Sequence, residues 1–383
     1  MDEGYVHYEI TRAQAPMKPG TVCGDIMGKD RTPMATTVVL VDGIGHGVKA
    51  HIAAQLCVSR LLGLMSTGAG ARHAFESVVR TMEQAKGTDM PYAVLTLARI
   101  LPDGVATVLS YEMPPPILVM RRFSQVLPQR SITGLTGVAQ ESNCHLAVDE
   151  SLLLVSDGIT QSGMGHGMHY GWTAEGVARY VSDCQGDGID WPSIPNAVLS
   201  RAKRNWGTKL GDDCSAVLIT ARPGKTVSIL TGPPSDRRLD RKVVQKFMAL
   251  KGAKVVSGGT TAKIVADYLG KELIVEKKPV NLFSPPRYFI EGIDLVTEGA
   301  LTLNQVYNVL DESPNRLEQG GVAQLHRLIH EADRVNFIVG EAINPANANI
   351  AFQQQGILTR QTVIPLICEK LRALGKLVVE EHI

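Results

Sequence analysis

The stretch VVLVDGIGHG, residues 38–47, places four apolar residues directly before an aspartate and three glycines. A continuous apolar run of this length, bounded by turn residues, is typical of a buried β-strand. Glycine beside the terminal carboxylate lets the backbone approach a ligand closely. The stretch therefore predicts a buried strand with Asp42 at its end, where a ligand can be bound.

Acidic residues beside glycine recur at other predicted strand ends. Asp25 lies in VCGDIMGKD, Asp157 in LLVSDGIT, and Asp212 and Asp213 in LGDDCSAV. A single Asp-Gly after a strand is more often a hairpin turn. Four acidic motifs together instead favour a site for Mg²⁺ or Mn²⁺, because these ions prefer oxygen ligands and no His or Cys cluster suited to Zn²⁺ accompanies them.

Length and composition limit the partners. The chain has 383 residues, enough for two domains. Its 39 basic and 38 acidic residues give a net charge of +1, and no Lys/Arg cluster indicates nucleic acid or a membrane surface as a partner. Six scattered cysteines without a C-x-x-C pair predict reduced thiols in the cytoplasm. No apolar run approaches the ~20 residues of a membrane span.

The pattern of predicted strands and helices changes at TARPGKT, residues 220–226. This change predicts two domains, 1–222 and 223–383. Short β-rich runs fill the first part, and two consecutive helical patterns, at residues 48–65 and 71–85, interrupt them. Strand and helix patterns alternate in the second part. We expect an α/β protein, with helices outside sheets in the first domain and a smaller βαβ domain with a mostly parallel sheet in the second.

In order and spacing, the motifs VCGDIMGKD, VLVDGIGHGVKA, LLLVSDGIT and GDDCSAVLI resemble the metal-dependent Ser/Thr protein phosphatases, the PPM family. The resemblance covers about residues 4–222 and is strongest to the bacterial branch typified by the sporulation stage II protein E phosphatase. It implies an α-β-β-α sandwich and a pair of Mn²⁺ or Mg²⁺ ions. It also implies hydrolysis of phosphoserine or phosphothreonine by attack of a metal-bridging hydroxide, on a phosphorylated protein such as an anti-anti-sigma-like protein.

The resemblance also implies residue roles. Asp42 would bridge both ions, and Gly43 would lend its carbonyl oxygen to one of them. Asp157 and Asp212 would complete the shell of the other ion, and Asp25 would act through water bound to the ions. In the resembling family the helix pair after the DGIGHG motif can shift and complete or spoil the site. The second domain, residues 223–383, is therefore expected either to regulate the first domain or to bind a ligand or partner.

Other positions support the site or depart from the family pattern. Asp213 would support the ligands without touching an ion. His46 has either a structural role at the start of the following helix or the role of an acid that protonates the leaving oxygen. SYEMPPP, residues 110–116, keeps the prolines of a family motif but lacks its histidine. Two alternatives therefore stay open: a catalytically weak phosphatase-fold binding module, and a small-molecule phosphoesterase.

The second domain carries VVSGGTTAKIVADYLG, a predicted strand, turn and helix. Gly258 and Gly259 allow a tight turn, while Thr260 or Thr261 can cap the helix. The free N–H groups at the start of such a helix suit a small anionic ligand such as phosphate. The same residues also suit an ordinary strand-to-helix turn with an N-cap, and both interpretations stay open.

Overall fold

The computed structural model describes residues 4–45, 47–88, 90–208, 211–275, 287–317, 320–342 and 357–383. The chain separates into two compact units. The N-terminal unit holds residues 6–30 and 34–223, and the C-terminal unit holds chiefly residues 224–383.

Two β-sheets form the centre of the N-terminal unit. Its strands are β1 (Val6–Ala15), β2 (Ile26–Thr32), β3 (Ala35–Gly43), β4 (Ala93–Ile100), β5 (Val105–Tyr111), β6 (Ile117–Val119), β7 (Ser124–Val126), β8 (Arg130–Ser131), β9 (Ala139–His145), β10 (Ser151–Val155) and β11 (Cys214–Pro223). One sheet has the order β2-β3-β4-β5-β9-β8, and the other has the order β1-β11-β10-β6-β7. β3 is buried along its whole length, which explains its continuous apolar run.

Helices cover the outer faces of both sheets. They are α1 (Val48–Ser66), α2 (Ala71–Gly87), α3 (Asp157–Thr160), α4 (Ala174–Gly186) and α5 (Ile194–Trp206). α1 and α2 pack on β3 and β4, whereas α4 and α5 pack on β7 and β11. One hydrophobic cluster joins inner residues of both sheets, including Leu97 and Val217. The predicted α-β-β-α sandwich is therefore confirmed.

α1 is long and apolar enough, by length and composition alone, to cross a membrane. No other helix in the described ranges meets that criterion. Ala54, Cys57 and Leu61 on its inner side belong to the core of the sandwich. These contacts are those of a core helix packed on a sheet.

The C-terminal unit is built around a single sheet. Its strands are β12 (Thr226–Thr231), β13 (Ala253–Ser257), β14 (Ile274–Val275), β15 (Arg287–Phe289), β16 (Leu295–Thr297), β17 (Arg334–Val339) and β18 (Leu377–His382). Its helices are α6 (Asp240–Ala249), α7 (Gly259–Leu269), α8 (Ala300–Val309), α9 (Gly321–Glu331) and α10 (Arg360–Ala373). Five strands are parallel, in the order β16-β13-β12-β17-β18, and β15 and β14 extend the β16 edge as antiparallel strands.

Separate hydrophobic clusters cover the two faces of this sheet. Phe247 of α6 and Val265 of α7 belong to one cluster, while Leu303 of α8 and Ile364 of α10 belong to the other. The chain moves outward from β12 to β13 and β16, then returns to the opposite side of β12 for β17 and β18. The predicted Rossmann-like, mostly parallel sheet is confirmed, with its topological switch point between β12 and β17.

Candidate metal centre

Asp42 and Asp157 each precede a glycine that packing requires. A Cβ atom on Gly43 would lie 2.0 Å from the carbonyl oxygen of Ala50 in α1, and one on Gly158 would lie 2.1 Å from the carbonyl oxygen of Asp213. Neither glycine has a positive φ. β3 leads toward α1 after Gly43, and Gly158 lies within α3. The hairpin-turn alternative is therefore wrong at both positions, where glycine serves close backbone approach.

Asp25 is a buried carboxylate in front of β2, with 3% of its surface exposed. Both of its carboxylate oxygens are shielded from solvent and have no hydrogen-bond partner among the described residues. Burial raises the pKa of Asp25 to about 7, and the negative charges of Asp213 and Asp157 add to the rise. The nearby hydroxyls of Ser156 and Ser215 oppose it only in part. A raised pKa of this kind indicates that the buried carboxyl group has no positive charge nearby to compensate its own.

Asp42, at the end of β3, lies in the same electrostatic neighbourhood and is 5% exposed. Burial raises its pKa well above the ordinary value, and the nearby negative charges of Asp25, Asp157 and Asp212 raise it further. Residues at strand ends of both sheets therefore bring negative charge to one place. Such a cluster costs free energy unless a cation neutralises it.

The donor set fits a hard divalent cation. Besides Asp25, Asp157 has a buried oxygen, Oδ1, without a hydrogen-bond partner in the described ranges. Carboxylate oxygens are the ligands that Mg²⁺ and Mn²⁺ prefer. Within the part of the chain that the structure describes, however, no group of three or more His, Cys, Asp or Glu side chains is arranged to hold a metal ion as it stands. The carboxylates thus share a neighbourhood without forming a finished coordination cage.

Asp213 makes a different set of contacts from its neighbours. Its Oδ1 accepts a hydrogen bond from the backbone N–H of Met17 at 2.5 Å, and its Oδ2 accepts one from the N–H of Gly24 at 2.6 Å. A Cβ atom on Gly24 would lie 2.8 Å from that second oxygen. Asp213 therefore holds the segment that leads directly to Asp25.

Supporting contacts around Asp157 were not expected from the sequence. Gln161 Nε2 donates to Asp157 Oδ2 at 2.9 Å from one turn further along the chain. The Ser215 N–H donates to the hydroxyl of Ser156, which immediately precedes Asp157, at 2.8 Å. Gln14 Nε2 donates to the Ser215 hydroxyl at 3.0 Å. The four-residue spacing of Asp157 and Gln161 could have predicted the contact between them. The hydrogen bonds of Ser215 with Ser156 and Gln14 depend on strand pairing, which the local sequence does not reveal.

Residues 32–222 match the sequence family Stage II sporulation protein E (SpoIIE). The chain contains a SpoIIE domain of the PP2C phosphatase type. The matched segment includes Asp42, Gly43, Asp157, Asp212 and Asp213, and it begins after Asp25. The predicted resemblance to the bacterial phosphatases is thereby confirmed. Comparison with curated proteins gives no match.

Several solved structures are similar to this chain. The RsbU and RsbW domains of a Mycobacterium tuberculosis protein have 18% identity and a TM-score of 0.49, over 64% of this chain and 68% of that chain. The PP2C domain of SpoIIE from Bacillus subtilis, with a fragment of its regulatory domain, has 18% identity and a TM-score of 0.48, over 57% and 65%. The SiaA PP2C domain of Pseudomonas aeruginosa has 15% identity and a TM-score of 0.44, over 55% and 85%.

Two further positions of the SpoIIE domain bear on the predictions. His46 lies outside the described residues, so its two proposed roles stay predictions. In the SYEMPPP segment, Glu112 has a positive φ of 51° and its carboxylate forms an ion pair with Lys86 of α2 at 3.0 Å. The segment that lacks the family histidine is thus tied to the second helix of the pair.

The second predicted site lies wholly in the C-terminal unit. Gly258, with φ of 118°, is the N-cap of α7, and Gly259 is the first residue of that helix. No side chain caps the helix, so the predicted cap by Thr260 or Thr261 is wrong, because both threonines lie inside its first turn. Thr261 is buried, at 2% exposure. Gly258, Gly259, Thr260 and Thr261 all line one cavity of about 620 Å³.

Proposed function

We propose that the SpoIIE domain is a metal-dependent protein phosphatase that hydrolyses phosphoserine and phosphothreonine. The observation that carries the proposal is the buried carboxylate cluster, in which oxygens of Asp25 and Asp157 have no partner in the described ranges. Asp42, Asp157 and Asp212 would hold two Mn²⁺ or Mg²⁺ ions together with the carbonyl of Gly43. Asp25 would act through water at the ions.

The bound ions and the residues of the chain would have different roles in the reaction. Bound divalent ions would supply positive charge to the phosphoryl oxygens and lower the pKa of a water molecule. Asp213 would fix the segment before Asp25 through its bonds to Met17 and Gly24. Gln161 would orient the Asp157 carboxylate, leaving its Oδ1 free for a ligand.

The proposed substrate is a phosphorylated protein of the anti-anti-sigma type. The support for this class is the membership of residues 32–222 in the SpoIIE family, together with the family motifs. A cytoplasmic location agrees with six cysteines that are all free thiols.

The test compares substrates for the full chain with added Mn²⁺. A phosphoserine protein should release phosphate with a kcat/KM at least about 10-fold above that for phosphorylated metabolites. Faster hydrolysis of the metabolites would favour a small-molecule phosphoesterase. Absence of both phosphate release and Mn²⁺ binding would favour a phosphatase-fold binding module.

We further propose that the C-terminal unit regulates the SpoIIE domain through α1. The support is local, since Gly43 packs directly against Ala50 in the first turn of that helix, so a shift of α1 would move Asp42 and Gly43. A chain ending at residue 222 should therefore differ from the full chain in phosphatase rate or Mn²⁺ affinity. Circular dichroism would verify that the shortened chain is folded, and unchanged rate and affinity in a folded chain would contradict the coupling.

A further inference from the structure

The C-terminal unit contains a cavity of about 620 Å³ at the carboxyl ends of its central strands. Its walls include the segments that follow β12, β13 and β16, and the first residues of α7, α8 and α10. This is the edge of the sheet where the strand order reverses, and open α/β sheets bind ligands there. A volume of this size suits a small metabolite.

Arg360, the first residue of α10, lies in the wall and has no anionic partner among the described residues. Its Nη2 donates to the carbonyl oxygens of Gly340 at 2.6 Å and Ala342 at 3.0 Å. Its Nε is shielded from solvent and has no hydrogen-bond partner, and no carboxylate in the described ranges forms an ion pair with it. A Cβ atom on Gly232 would lie 2.1 Å from Nη1, so glycine there makes room for this guanidinium. Binding of an anion would stabilise a partly buried guanidinium that has no negatively charged partner.

Two helix N-termini meet on another wall. α7 and α8 begin at the N-cap residues Gly258 and Gly299, and neither helix has a side-chain cap or an acidic residue in its first turn. A Cβ atom on Gly299 would lie 3.4 Å from the Cα of Gly258, so the two helix starts are neighbours. The first N–H groups of each helix have no intrahelical acceptor and form a positive region suited to phosphate.

The same cavity also contains carboxylates that a simple anion would leave unpaired. Asp240 Oδ1 and Glu298 Oε2 are shielded from solvent and have no hydrogen-bond partner in the part of the chain that the structure describes. Carboxylate oxygens accept hydrogen bonds, and the hydroxyl groups of a ligand are donors suited to them, although Arg237 and Lys263 also line the cavity. A ligand that combines an anionic group with hydroxyl donors therefore fits both kinds of wall.

We propose that this cavity binds a phosphorylated sugar, either free or as part of a nucleotide. The phosphate lies at the starts of α7 and α8 and faces Arg360, and the sugar hydroxyls donate to Asp240 and Glu298. The proposal does not depend on the phosphatase activity of the other unit.

Calorimetric titration of the full chain tests the proposal, with EDTA present so that the metal centre of the SpoIIE domain does not bind phosphate. The probes are ribose 5-phosphate, AMP, inorganic phosphate and adenosine. Ribose 5-phosphate, AMP or both should bind once per chain, at least about 10-fold more tightly than inorganic phosphate or adenosine. Tighter binding of AMP than of ribose 5-phosphate identifies a nucleotide, and the reverse identifies a free sugar phosphate. Equal binding of all four probes, or of none, would overturn the proposal.

Gly259→Leu is the deciding variant. A Cβ atom at Gly259 meets nothing closer than the Tyr288 hydroxyl at 3.9 Å, so leucine fits the fold while it fills the cavity. The expected effect is a loss of at least about 10-fold in affinity for the bound sugar phosphate. Gly186→Leu is the matched control, because that helical glycine also faces open space but lies in the N-terminal unit. Undiminished binding by Gly259→Leu would refute the site.

A second variant distinguishes binding of the sugar from binding of the phosphate. Glu298→Gln keeps the shape of the side chain but removes its charge, so affinity for the sugar phosphate should fall at least about 5-fold while any weak inorganic phosphate binding does not fall. Equal losses for both probes would contradict a contact between Glu298 and the sugar. Thermal unfolding of each variant verifies that its fold is intact.

Discussion

Asp213 shows how a residue beside a metal ligand can act on the backbone instead. Its two carboxylate oxygens accept hydrogen bonds from the backbone N–H groups of Met17 and Gly24. The negative charge of this buried residue is therefore stabilised by backbone donors, and these bonds hold the loop in place. The loop ends at Asp25. Asp213 therefore holds the backbone, whereas both carboxylate oxygens of Asp25 stay without a partner in the part of the chain that the structure describes.

Replacing Asp213 with asparagine should destabilise the protein by about 1–3 kcal/mol, because the amide NH₂ would face a backbone N–H donor and leave it unpaired. Urea denaturation measures this change in the free energy of unfolding. Asp103→Asn is the control, since the exposed Asp103 accepts one bond, from the Val105 N–H at 3.1 Å, which the asparagine oxygen can also accept. Equal stability of the two variants would show that Asp213 does not anchor the loop.

The contact between β3 and α1 connects the candidate site to a helix. Because a Cβ atom on Gly43 would overlap the carbonyl oxygen of Ala50 at 2.0 Å, Gly43→Ala must displace the strand end or the helix. We expect a destabilisation of about 1–3 kcal/mol, the usual cost of overpacking, and reduced phosphatase activity.

Gly63→Ala supplies the matched control within α1. This exposed helical glycine has nothing within 4 Å of an added Cβ atom, so alanine there should stabilise by about 0.5–1 kcal/mol. Chemical denaturation and phosphate release measured on both variants test the comparison. If Gly43→Ala behaves like Gly63→Ala, the close packing of strand and helix is not needed.

A buried histidine in α9 predicts acid sensitivity of the C-terminal unit. His326 is fully buried, and burial lowers its pKa, with the neighbouring His330 adding to the effect. The backbone of Leu310 and Val309 and the charge of Glu312 oppose this lowering in part. The folded state thus binds fewer protons than the unfolded state, so the free energy of unfolding falls as the pH falls through the unfolded value of 6.5.

Unfolding of the C-terminal unit in urea should therefore require less denaturant at about pH 5.5 than at about pH 7.5. The His326→Phe variant should lose most of this difference, whereas His73→Phe, a change in α2 of the other unit, should keep it. A pH dependence that is identical in the wild type and His326→Phe would contradict the assignment.

At the scale of the whole molecule, local sequence patterns predicted much but not all of the structure. Local patterns of apolar residues predicted three features: the strand β3, the helix pair after it, and the alternation of strands and helices beyond residue 223. The sandwich and the parallel sheet were predicted from these features. The acids at strand ends were visible because each follows or precedes an apolar run.

Contacts between distant segments could not be predicted in this way. The bonds of Asp213 to Met17 and Gly24 span 196 and 189 residues, and they exist because β1 pairs with β11 along its whole length. The position of Arg360 beside Gly232 likewise depends on the return of the chain across β12. Such contacts are set by topology, which no local pattern encodes.

The most direct test of the metal-dependent phosphatase proposal is calorimetric titration of Mn²⁺ into the full chain and into its Asp42→Asn variant, with phosphate release measured on the same samples. The buried carboxylates of the wild type should bind about two ions per chain, and phosphate release should require them. Asp42→Asn should remain folded, bind fewer ions, and lose activity by at least about 10³-fold. Undiminished Mn²⁺ binding and phosphate release in Asp42→Asn would contradict the account.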